Sequence, residues 1–350
     1  MPLIARMVAA PLAVDVRHGG VCDLGALLAD RRIATSGRVA VAVGPGQGDG
    51  IATDLNIGDP EVFRVPDGSL DAAVELSKQL RAGSYEAVAG IGGGRTIDVT
   101  KFAATMAGIP MVAVATNLSH DGIASPVSSL DHESGKSSYG VAMPVGIVVD
   151  LDRVHVAPPR LVRSGVGDVI SNLSAIADWE LAARQTGEPI DGLSVTLART
   201  AAEAVLHQQQ SVESDGFLTV LAEALVLSGI AMSVAGSSRP ASGGDHEILH
   251  AIDQLYPGTA NHGELAGAGA LFCTWLRGDQ QQADLISACL ARHGLPRTPG
   301  DLGMPAADFA RAVSRAPSTR PGRYTILEHL GLDGDTTGKR VDDYVRAFAD

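Results

Sequence analysis

The sequence predicts a protein of two parts: an α/β N-terminal domain with a parallel sheet, followed by an all-α C-terminal domain. Its 350 residues, 45% of them hydrophobic, are enough to bury two cores. Short β-rich runs alternate with helical stretches up to about residue 150, whereas almost no strand signal remains after about residue 160. The segment APPR (157–160) separates the two patterns. We therefore expect domains at residues 1–158 and 159–350.

The N-terminal part carries its strand signal in apolar runs that do not alternate with polar residues, which indicates burial on both faces of a parallel sheet. One stretch between them, SLDAAVELSKQLRAG (69–83), predicts a helix with Ser69 as its N-cap and Gly83 as its C-cap. The polar segment SSLDHESGKSSYG (128–140) predicts a hairpin or loop. The predicted strands are RVAVAVG (38–44), EVFRVP (61–66), YEAVAGIGGG (85–94), IPMVAVAT (109–116) and VGIVVD (145–150).

The C-terminal part consists of Ala/Leu-rich runs with helical spacing, followed by a mixed loop and helix region. No run reaches the roughly 18 apolar residues of a membrane span, so we expect no membrane insertion. The predicted helices are 168–185, 191–209, 215–235, 244–255, 263–276 and 281–294.

Charge and cysteine content narrow the class of partner and the compartment. The net charge is −13 and no dense Lys/Arg cluster occurs, which argues against nucleic acid or an anionic membrane as the main partner. The three cysteines are far apart and odd in number, so they predict no disulfide framework and favour a reducing cytosol. Pro2 and Pro11 make the apolar N-terminus a poor signal peptide. We expect a cytoplasmic protein.

A glycine-rich turn predicts a dinucleotide-binding loop. The stretch AGIGGGRTIDVTKFAA (89–104) ends a strand and begins a helix, and Gly92, Gly93 and Gly94 let the backbone approach a ligand closely. The first N–H groups of the helix favour an anion such as a pyrophosphate. Asp98, placed on the first helical turn, could reach a nicotinamide ribose or amide. The alternatives are that the glycines only form tight turns and that Asp98 only complements the helix dipole.

The sequence also contains a literal H-E-x-x-H, formed by residues 246–250, which is the pattern of zinc proteases. The metzincin continuation fails, because AIDQ (251–254) follows. A different set of three residues in glycine-flanked frames fits a catalytic metal better: Asp168, His246 and His262. One carboxylate and two imidazoles leave a fourth position open, and their net charge with a divalent ion favours a polarised carbonyl. The alternative is that each histidine is structural.

The chain resembles the family of iron-containing alcohol dehydrogenases, glycerol dehydrogenases and dehydroquinate synthases, and within it the sn-glycerol-1-phosphate dehydrogenases. The resemblance runs from about residue 15 to about residue 275. Its most specific stretch, ATNLSHDGIASPVSSL (115–130), is similar to a T-x-x-S-H-D-G-I-A-S-P segment of that branch; GVGDVISNLSAIADWE and HGELAGAGALF also match. It implies a Rossmann-like NAD(P)-binding domain, a helical metal- and substrate-binding domain, and a cleft for both cofactors.

The resemblance also implies roles for single residues. Asp168, His246 and His262 would bind Zn²⁺, with Ni²⁺ or Fe²⁺ as alternatives. Asn172 stands where iron-dependent members carry a fourth ligand, a histidine, which agrees with a three-ligand site. The substrate would meet Asp121 beside the metal and His250 one turn from His246. The cofactor would be held by Gly92, Gly93, Gly94, Thr96 and Asp98, with Thr116, Ser119 and Ser125 on its nicotinamide side.

The implied reaction is reversible hydride transfer between NAD(P)H and dihydroxyacetone phosphate, a small phosphorylated three-carbon substrate, in phospholipid biosynthesis. Asp121 and His250 are candidates for moving the proton. The candidate phosphate donors are Lys136, Arg163 and Arg239, each with the alternative of a solvated surface charge. After the second predicted strand, Asp67 would favour NAD whereas Arg64 would tolerate NADP, so both cofactors stay open. A homo-oligomer is expected from the family.

Three alternatives remain open at this stage. A dehydroquinate-synthase-like sugar phosphate cyclase shares the cofactor and metal, and SGKSSYG (134–140) is similar to its G-K-N segment, but that group usually has Glu at the position of Asp168. A dehydrogenase of an unphosphorylated polyol or specialised metabolite is the second. A binding protein without catalysis is the third. Asp245, Asn117 and Leu118 depart from the pattern usual in glycerol-phosphate enzymes and leave the substrate less certain than the metal.

Overall fold

The computed structural model describes residues 9–30, 33–34, 38–58, 60–133, 135–332 and 334–348. The chain divides into two compact units. The first extends to Ala157 and includes Met232–Gly236; the second comprises Pro158–Ala231 and the chain from Ser237 onwards.

The first unit is built on a six-stranded, wholly parallel sheet, which confirms the predicted fold class. All five predicted strands are present. A sixth, β1, forms one edge of the sheet and was missed, because its five residues AVDVR are only partly buried and give a short signal. In the order β1-β8-β5-β4-β2-β3, the strands are Ala13–Arg17, Gly146–Asp150, Met111–Ala115, Ala87–Gly92, Val39–Val43 and Glu61–Arg64.

The segment predicted as a hairpin or loop is an antiparallel hairpin of β6 (Val127–His132) and β7 (Gly135–Gly140). The helices of this unit are α1 (Leu24–Asp30), α2 (Gly48–Asp54), α3 (Leu70–Gly83), α4 (Gly94–Ala107) and α5 (Leu151–Val156).

The core of the first unit follows from the continuous apolar strands. Every residue of β2, β4, β5 and β8 is buried, as expected for strands covered on both faces. On one face, Leu24, Leu28 and Ile51 of α1 and α2 pack against strand residues such as Val41 and Ile91. Elsewhere α3 packs against α4, and α4 contacts β6.

The ends of α3 show one correct cap and one error. Ser69 Oγ accepts a hydrogen bond from the N–H of Ala72 at 3.1 Å, as predicted. The predicted C-cap was wrong, because Gly83 is still helical and Ser84 adopts the left-handed conformation at φ 53°. Glycine is required at residue 83 for another reason: a Cβ atom there would lie 2.1 Å from the ring of Tyr85.

The strand order places the glycine loop at a reversal of the sheet. From β2 the chain passes to β3 at one edge and then to β4 on the other side of β2. The carboxyl ends of β2 and β4 therefore flank a topological switch point, where ligands bind in open α/β sheets. The turn 44–47, which contains Gly44 and Gly46, follows β2, and the glycine loop follows β4, so both turns lie at this position.

The described residues of the second unit contain helices and no strand, as predicted. They are α6 (Pro159–Thr186), α7 (Gly192–Leu206), α8 (Asp215–Ala235), α9 (Gly244–Leu255), α10 (His262–Leu276), α11 (Gln280–Arg292), α12 (Ala306–Arg315), α13 (Ile326–Leu330) and α14 (Gly334–Phe348); the unit boundary divides α8 at Met232.

The start of α6 differs from the prediction. Asp168 does not begin a helix but lies in the middle of one that begins at Pro159, a residue favoured at the first helical position. Glycine is a poor helix former, so SGVGD was mistaken for a helix boundary. Gly167 is tolerated because another helix lies against it: a Cβ there would be 2.1 Å from the carbonyl oxygen of Gly263.

Helix α8 was not singled out from the sequence as one that could span a membrane. By length and composition this helix could do so, with a mean hydropathy of 2.0 over 18 residues. Of that window, 67% is buried inside the protein. Burial of this kind is typical of a core helix that is hydrophobic all round.

Candidate functional site

Three helices of the second unit bring one carboxylate and two imidazoles together. Asp168 of α6, His246 of α9 and His262 of α10 each offer one donor atom, and these atoms lie within 4.8 Å of one another. His262 Nε2 is 3.3 Å from Asp168 Oδ1, and His246 Nε2 is 4.0 Å from it. Asp168 and His246 are buried, whereas His262 is partly exposed. The three residues singled out from the sequence therefore form one cluster.

Close helix crossings place these side chains. A Cβ atom on Gly263 would lie 1.7 Å from the carbonyl oxygen of Ser164, so the backbones of α6 and α10 touch where Asp168 and His262 stand. The same holds between α9 and α10, because a Cβ on Gly269 would lie 2.8 Å from the carbonyl oxygen of Asp245. The glycines at these two helix crossings thus have a steric reason.

Asp245 orients His246. Its Oδ1 lies 2.9 Å from His246 Nδ1 and also accepts hydrogen bonds from the N–H groups of Gly243 and His246. With Nδ1 engaged, Nε2 is the nitrogen directed at the cluster, the arrangement seen in metal-ligating histidines. Burial lowers the pKa of His246, which favours the neutral, metal-binding form.

The donor set fits a divalent zinc-type ion. Zinc bonds of about 2.0–2.2 Å in tetrahedral geometry separate neighbouring ligand atoms by roughly 3.3–3.6 Å. The measured separations from Asp168 Oδ1, 3.3 and 4.0 Å, need only small side-chain shifts to match. Three protein donors leave a coordination position for a substrate, as in catalytic rather than structural sites. Imidazole also suits nickel and iron, so the donors do not distinguish among these metals.

The H-E-x-x-H pentapeptide does not form a protease site. Glu247 is fully buried and accepts a hydrogen bond from Thr325 Oγ1 at 3.1 Å. Burial raises the pKa of Glu247 to about 9, so it is a protonated, structural carboxyl at neutral pH. The Nε2 atom of His250 lies 2.8 Å from a guanidinium nitrogen of Arg320. Of the three residues that define the pattern, His246 belongs to the cluster, whereas Glu247 and His250 contact Thr325 and Arg320.

Asn172, which stands where a fourth ligand occurs in iron-dependent relatives, is held away from such a role by its hydrogen bonds. Its Nδ2 donates to the carbonyl oxygen of Ala198 at 3.3 Å and to Ser228 Oγ at 3.2 Å. The side chain is fully buried, and these contacts tie α6 to α7 and α8.

The glycine loop of the first unit opens the N-terminus of α4. Gly93 is the N-cap and has no side chain to satisfy the first N–H groups, which suits an anion. A Cβ on Gly93 would lie 2.4 Å from Asn117 Nδ2, and one on Gly94 would lie 2.0 Å from His120 Nε2. Gly92 meets Thr96 in the same way, at 2.7 Å. The protein's own side chains therefore already demand glycine here.

Asp98 lies one residue beyond the first helical turn, contrary to the prediction, and is buried beside a lysine. Its Oδ1 is 3.0 Å from Nζ of Lys101, which is fully buried and also donates to the carbonyl oxygens of Ser125 and Val127. The bond from Lys101 to the carbonyl oxygen of Ser125 attaches the loop that follows β5 to α4. In the same unit Thr96, Thr116 and Ser125 are buried, and Ser119 and Asp121 are partly exposed.

The three candidate phosphate donors are placed differently from one another. Lys136 is exposed on β7. Arg239 is buried and forms a two-pronged ion pair with Glu188, so its charge is already matched. Arg163 belongs to α6, and a Cβ atom added to Gly294 would lie 3.4 Å from its Nη1 atom.

Two residues were considered for cofactor preference. Arg64 ends β3, and Asp67 accepts a hydrogen bond from the N–H of Ser69.

Sequence reasoning missed Asp245, His120, Asn117 and two arginines after α12, Arg320 and Arg323. Asp245 and Asn117 were noted only as departures from the usual pattern. The arginines lie in a stretch that gives no regular pattern, and only the folded chain brings them to Ser242 and His250. Their one sequence signal is proximity to each other in RPGR (320–323).

Comparison with known proteins agrees with this architecture. Residues 16–158 match the family described as iron-containing alcohol dehydrogenase. The glycerol-1-phosphate dehydrogenase [NAD(P)+] of Methanospirillum hungatei JF-1 is 36% identical over 334 residues, covering 94% of this chain and 91% of that protein. The chain belongs to the glycerol-1-phosphate dehydrogenase branch of the iron-containing alcohol dehydrogenases.

A second relative supports the assignment, and a solved structure shares the fold. The enzyme of the same name from Staphylothermus marinus is 38% identical over 284 residues, covering 80% of this chain and 79% of that protein. A probable glycerol dehydrogenase from Sinorhizobium meliloti 1021 has the same fold, with a TM-score of 0.81 at 21% identity and coverage of 98% and 99%. The predicted fold class and family are confirmed.

Proposed function

We propose that this chain is a metal-dependent NAD(P)H oxidoreductase that reversibly reduces dihydroxyacetone phosphate to sn-glycerol 1-phosphate. The observation that carries the proposal is the cluster of Asp168, His246 and His262, with donor atoms within 4.8 Å, in a chain whose relatives are named glycerol-1-phosphate dehydrogenase. A cluster of this composition with an open position suits a polarised ketone.

Asp168, His246 and His262 would hold the metal, with Zn²⁺ as the expected ion and Ni²⁺ or Fe²⁺ as alternatives. Support comes from the charge balance, because one carboxylate leaves a divalent ion with a net charge of about +1. When bound, such an ion polarises a substrate carbonyl, and reduced nicotinamide supplies hydride. Asp245 would keep the imidazole of His246 in the required orientation.

The cofactor would bind at the N-terminus of α4 with its pyrophosphate over Gly92, Gly93 and Gly94. The uncapped N–H groups of this helix and its place at the topological switch point support this assignment. Thr96 and Asp98 would shape the loop from within, because both are buried. Thr116, Ser119 and Ser125 would line the nicotinamide side. The proposal includes both NAD and NADP as cofactors.

The candidates for transferring a proton to the reduced carbonyl oxygen are Asp121 and His250. Arg320 can only donate, so its contact with His250 Nε2 leaves the proton of the neutral imidazole on Nδ1. Loss of that proton alone would leave an imidazolate, so His250 could relay a proton only by taking one up at Nε2 in exchange, which would displace Arg320. Asp121 begins a short 3-10 helix, Asp121–Ile123, and is partly exposed. We also propose a cytoplasmic homo-oligomer that acts in phospholipid biosynthesis without membrane insertion or nucleic-acid binding.

The deciding experiment measures NADH and NADPH oxidation by zinc-loaded protein with dihydroxyacetone phosphate, dihydroxyacetone or glyceraldehyde 3-phosphate. We expect turnover of the first, and chiral analysis should identify the sn-1 product. Asp168→Asn should lower kcat/KM by at least about 100-fold, because a Lewis acid contributes several kcal/mol. Turnover of the unphosphorylated ketone alone would assign the chain to polyol dehydrogenation, and no turnover of any ketone would refute the proposal.

A further inference from the structure

Two arginines beside the metal cluster carry charges that no carboxylate matches. Arg320 and Arg323 follow α12, and among the described residues neither forms an ion pair within 4 Å. Arg320 donates to Ser242 Oγ at 2.5 Å and contacts His250 Nε2 at 2.8 Å. Arg323 donates to Ser238 Oγ at 3.1 Å and to the carbonyl oxygen of Ser242. All these partners are neutral.

A third arginine of this region, Arg239, is paired with a carboxylate and serves as a comparison. Arg239 holds both carboxylate oxygens of Glu188 and donates to the carbonyl oxygen of Tyr324. It is 5% exposed, whereas Arg320 and Arg323 are both partly exposed. A buried, paired guanidinium is structural, while the other two keep N–H groups that an incoming anion can use.

The electrostatics of the pair also favour an anion. Burial, Arg320 and Arg239 together lower the pKa of Arg323 to about 10, so the group is still cationic at neutral pH. Asp245 acts on both arginines at longer range but is bonded to His246, and Glu247, which is protonated at neutral pH, supplies no charge to match them. Two like charges held together in a partly buried site are stabilised by a bound dianion.

The pair is connected to the metal cluster through one side chain. Arg320 contacts His250, and the rings of His250 and His246 are 6.5 Å apart between centroids. The hydroxyl groups of Ser238 and Ser242 both lie within hydrogen-bond distance of Arg320, so they are further donors for a phosphate bound beside it. All these residues belong to the second unit.

We propose that Arg320 and Arg323, with Ser238 and Ser242, form the subsite that binds the phosphate group of the three-carbon substrate. The inference rests on the proposed function, whose carbonyl chemistry is assigned to the neighbouring cluster. It replaces Lys136 and Arg239 as phosphate donors, because the first is exposed on a hairpin and the second is already paired. Paired guanidinium groups recognise phosphate oxygens through parallel hydrogen bonds.

The test compares Arg320→Gln and Arg323→Gln with a matched control, Arg315→Gln, which changes an exposed arginine of α12. Binding of inorganic phosphate to the zinc-loaded protein is measured by calorimetry. We expect both Gln variants to weaken phosphate binding by about tenfold or more, since charge-assisted hydrogen bonds are lost. The control should bind as wild type. Arg323→Lys, which keeps the charge but not the planar fork, should be intermediate.

Kinetics then connect the subsite to the substrate. For dihydroxyacetone phosphate, KM in the Gln variants should rise by about 10- to 100-fold, and the ratio of kcat/KM for dihydroxyacetone phosphate to kcat/KM for dihydroxyacetone should fall by a similar factor. Thermal unfolding of each variant verifies folding, and the Lys variants of both positions are used where a Gln variant is unfolded.

The failures are distinguishable. Unchanged phosphate affinity in the Gln and Lys variants, or no phosphate binding by wild type, would overturn the subsite. An equal loss of activity toward both ketones would also overturn it while leaving the dehydrogenase proposal intact. A wild-type protein that binds phosphate through these arginines but oxidises neither nicotinamide with any ketone would leave the subsite standing and refute the proposed reaction.

Discussion

At the scale of the residue, Asp245 shows how one side chain sets the chemistry of its neighbour. Its Oδ1 receives both the backbone N–H and the ring Nδ1 of His246, so the imidazole has one orientation. The same carboxylate has its second oxygen buried, with no hydrogen-bond partner among the described residues. A buried carboxylate oxygen without a hydrogen bond is tolerated in a low-dielectric interior when a neighbouring cation offsets the negative charge of the carboxylate.

We therefore expect Asp245→Asn to weaken zinc binding by about 10- to 100-fold, because partners of ligating histidines contribute that much to metal affinity. The measurement is a competition titration against a chromophoric chelator. Asp284→Asn, which changes an exposed carboxylate of α11, is the control and should leave the affinity unchanged. Equal affinity in Asp245→Asn and wild type would show that this contact does not orient a ligand.

At the scale of the element, the cluster depends on how closely the helices cross. Gly263→Ala would place a Cβ 1.7 Å from a backbone oxygen of α6, and backbone cannot move aside as a flexible side chain can. We expect a loss of about 1–3 kcal/mol in the free energy of unfolding, as for other overpacked sites, together with weaker zinc binding. Denaturant unfolding and the chelator titration measure the two effects.

The control for that change is Gly192→Ala at the start of α7, where a Cβ meets no atom within 4 Å. It should leave zinc binding intact and stability unchanged or slightly raised, since alanine is the better helix former. If Gly263→Ala behaved like this control, the close crossing of α6 and α10 would not be what positions Asp168 and His262.

The loop before α4 makes a second prediction at this scale. Gly94→Ala would place a Cβ 2.0 Å from His120 Nε2, so the histidine or the loop must shift. We expect the dissociation constant for NADH and NADPH to rise by roughly tenfold, because the displacement alters the N–H groups that face the pyrophosphate. Fluorescence titration of the reduced cofactor measures it. Gly140→Ala on β7 has open space and should have no effect.

At the scale of the whole molecule, metal binding and folding are linked. Zinc at 100 times its dissociation constant stabilises the folded state by about 2.7 kcal/mol. A chelator should therefore lower the Tm of the second unit by roughly 5–10 °C. Differential scanning calorimetry with and without chelator measures the shift, and Asp168→Asn should show almost none. An equal shift in both proteins would mean that the stabilising metal binds elsewhere.

Most of the local structure could be predicted from the order of the amino acids. Continuous apolar runs predicted five strands, and only the short edge strand β1 was missed. Helical spacing predicted the all-α second unit, although Gly165 and Gly167 hid the true start of α6. The glycine loop was recognisable because its pattern lies within one strand–turn–helix segment. Gly83 and Asp98 were misplaced by a residue or so, since helix ends depend on packing as much as on propensity.

Which side chains meet depends on how the helices pack against one another. The sequence singled out Asp168, His246 and His262, but positions along the chain do not give the distances between their side chains. The close crossings of α6, α9 and α10 at glycine residues bring the three donor atoms together. The same folding paired Arg239 with Glu188 and left Arg320 and Arg323 facing neutral groups. Periodicity reports the face that a residue occupies within its own element, whereas charge matching depends on the elements packed beside it.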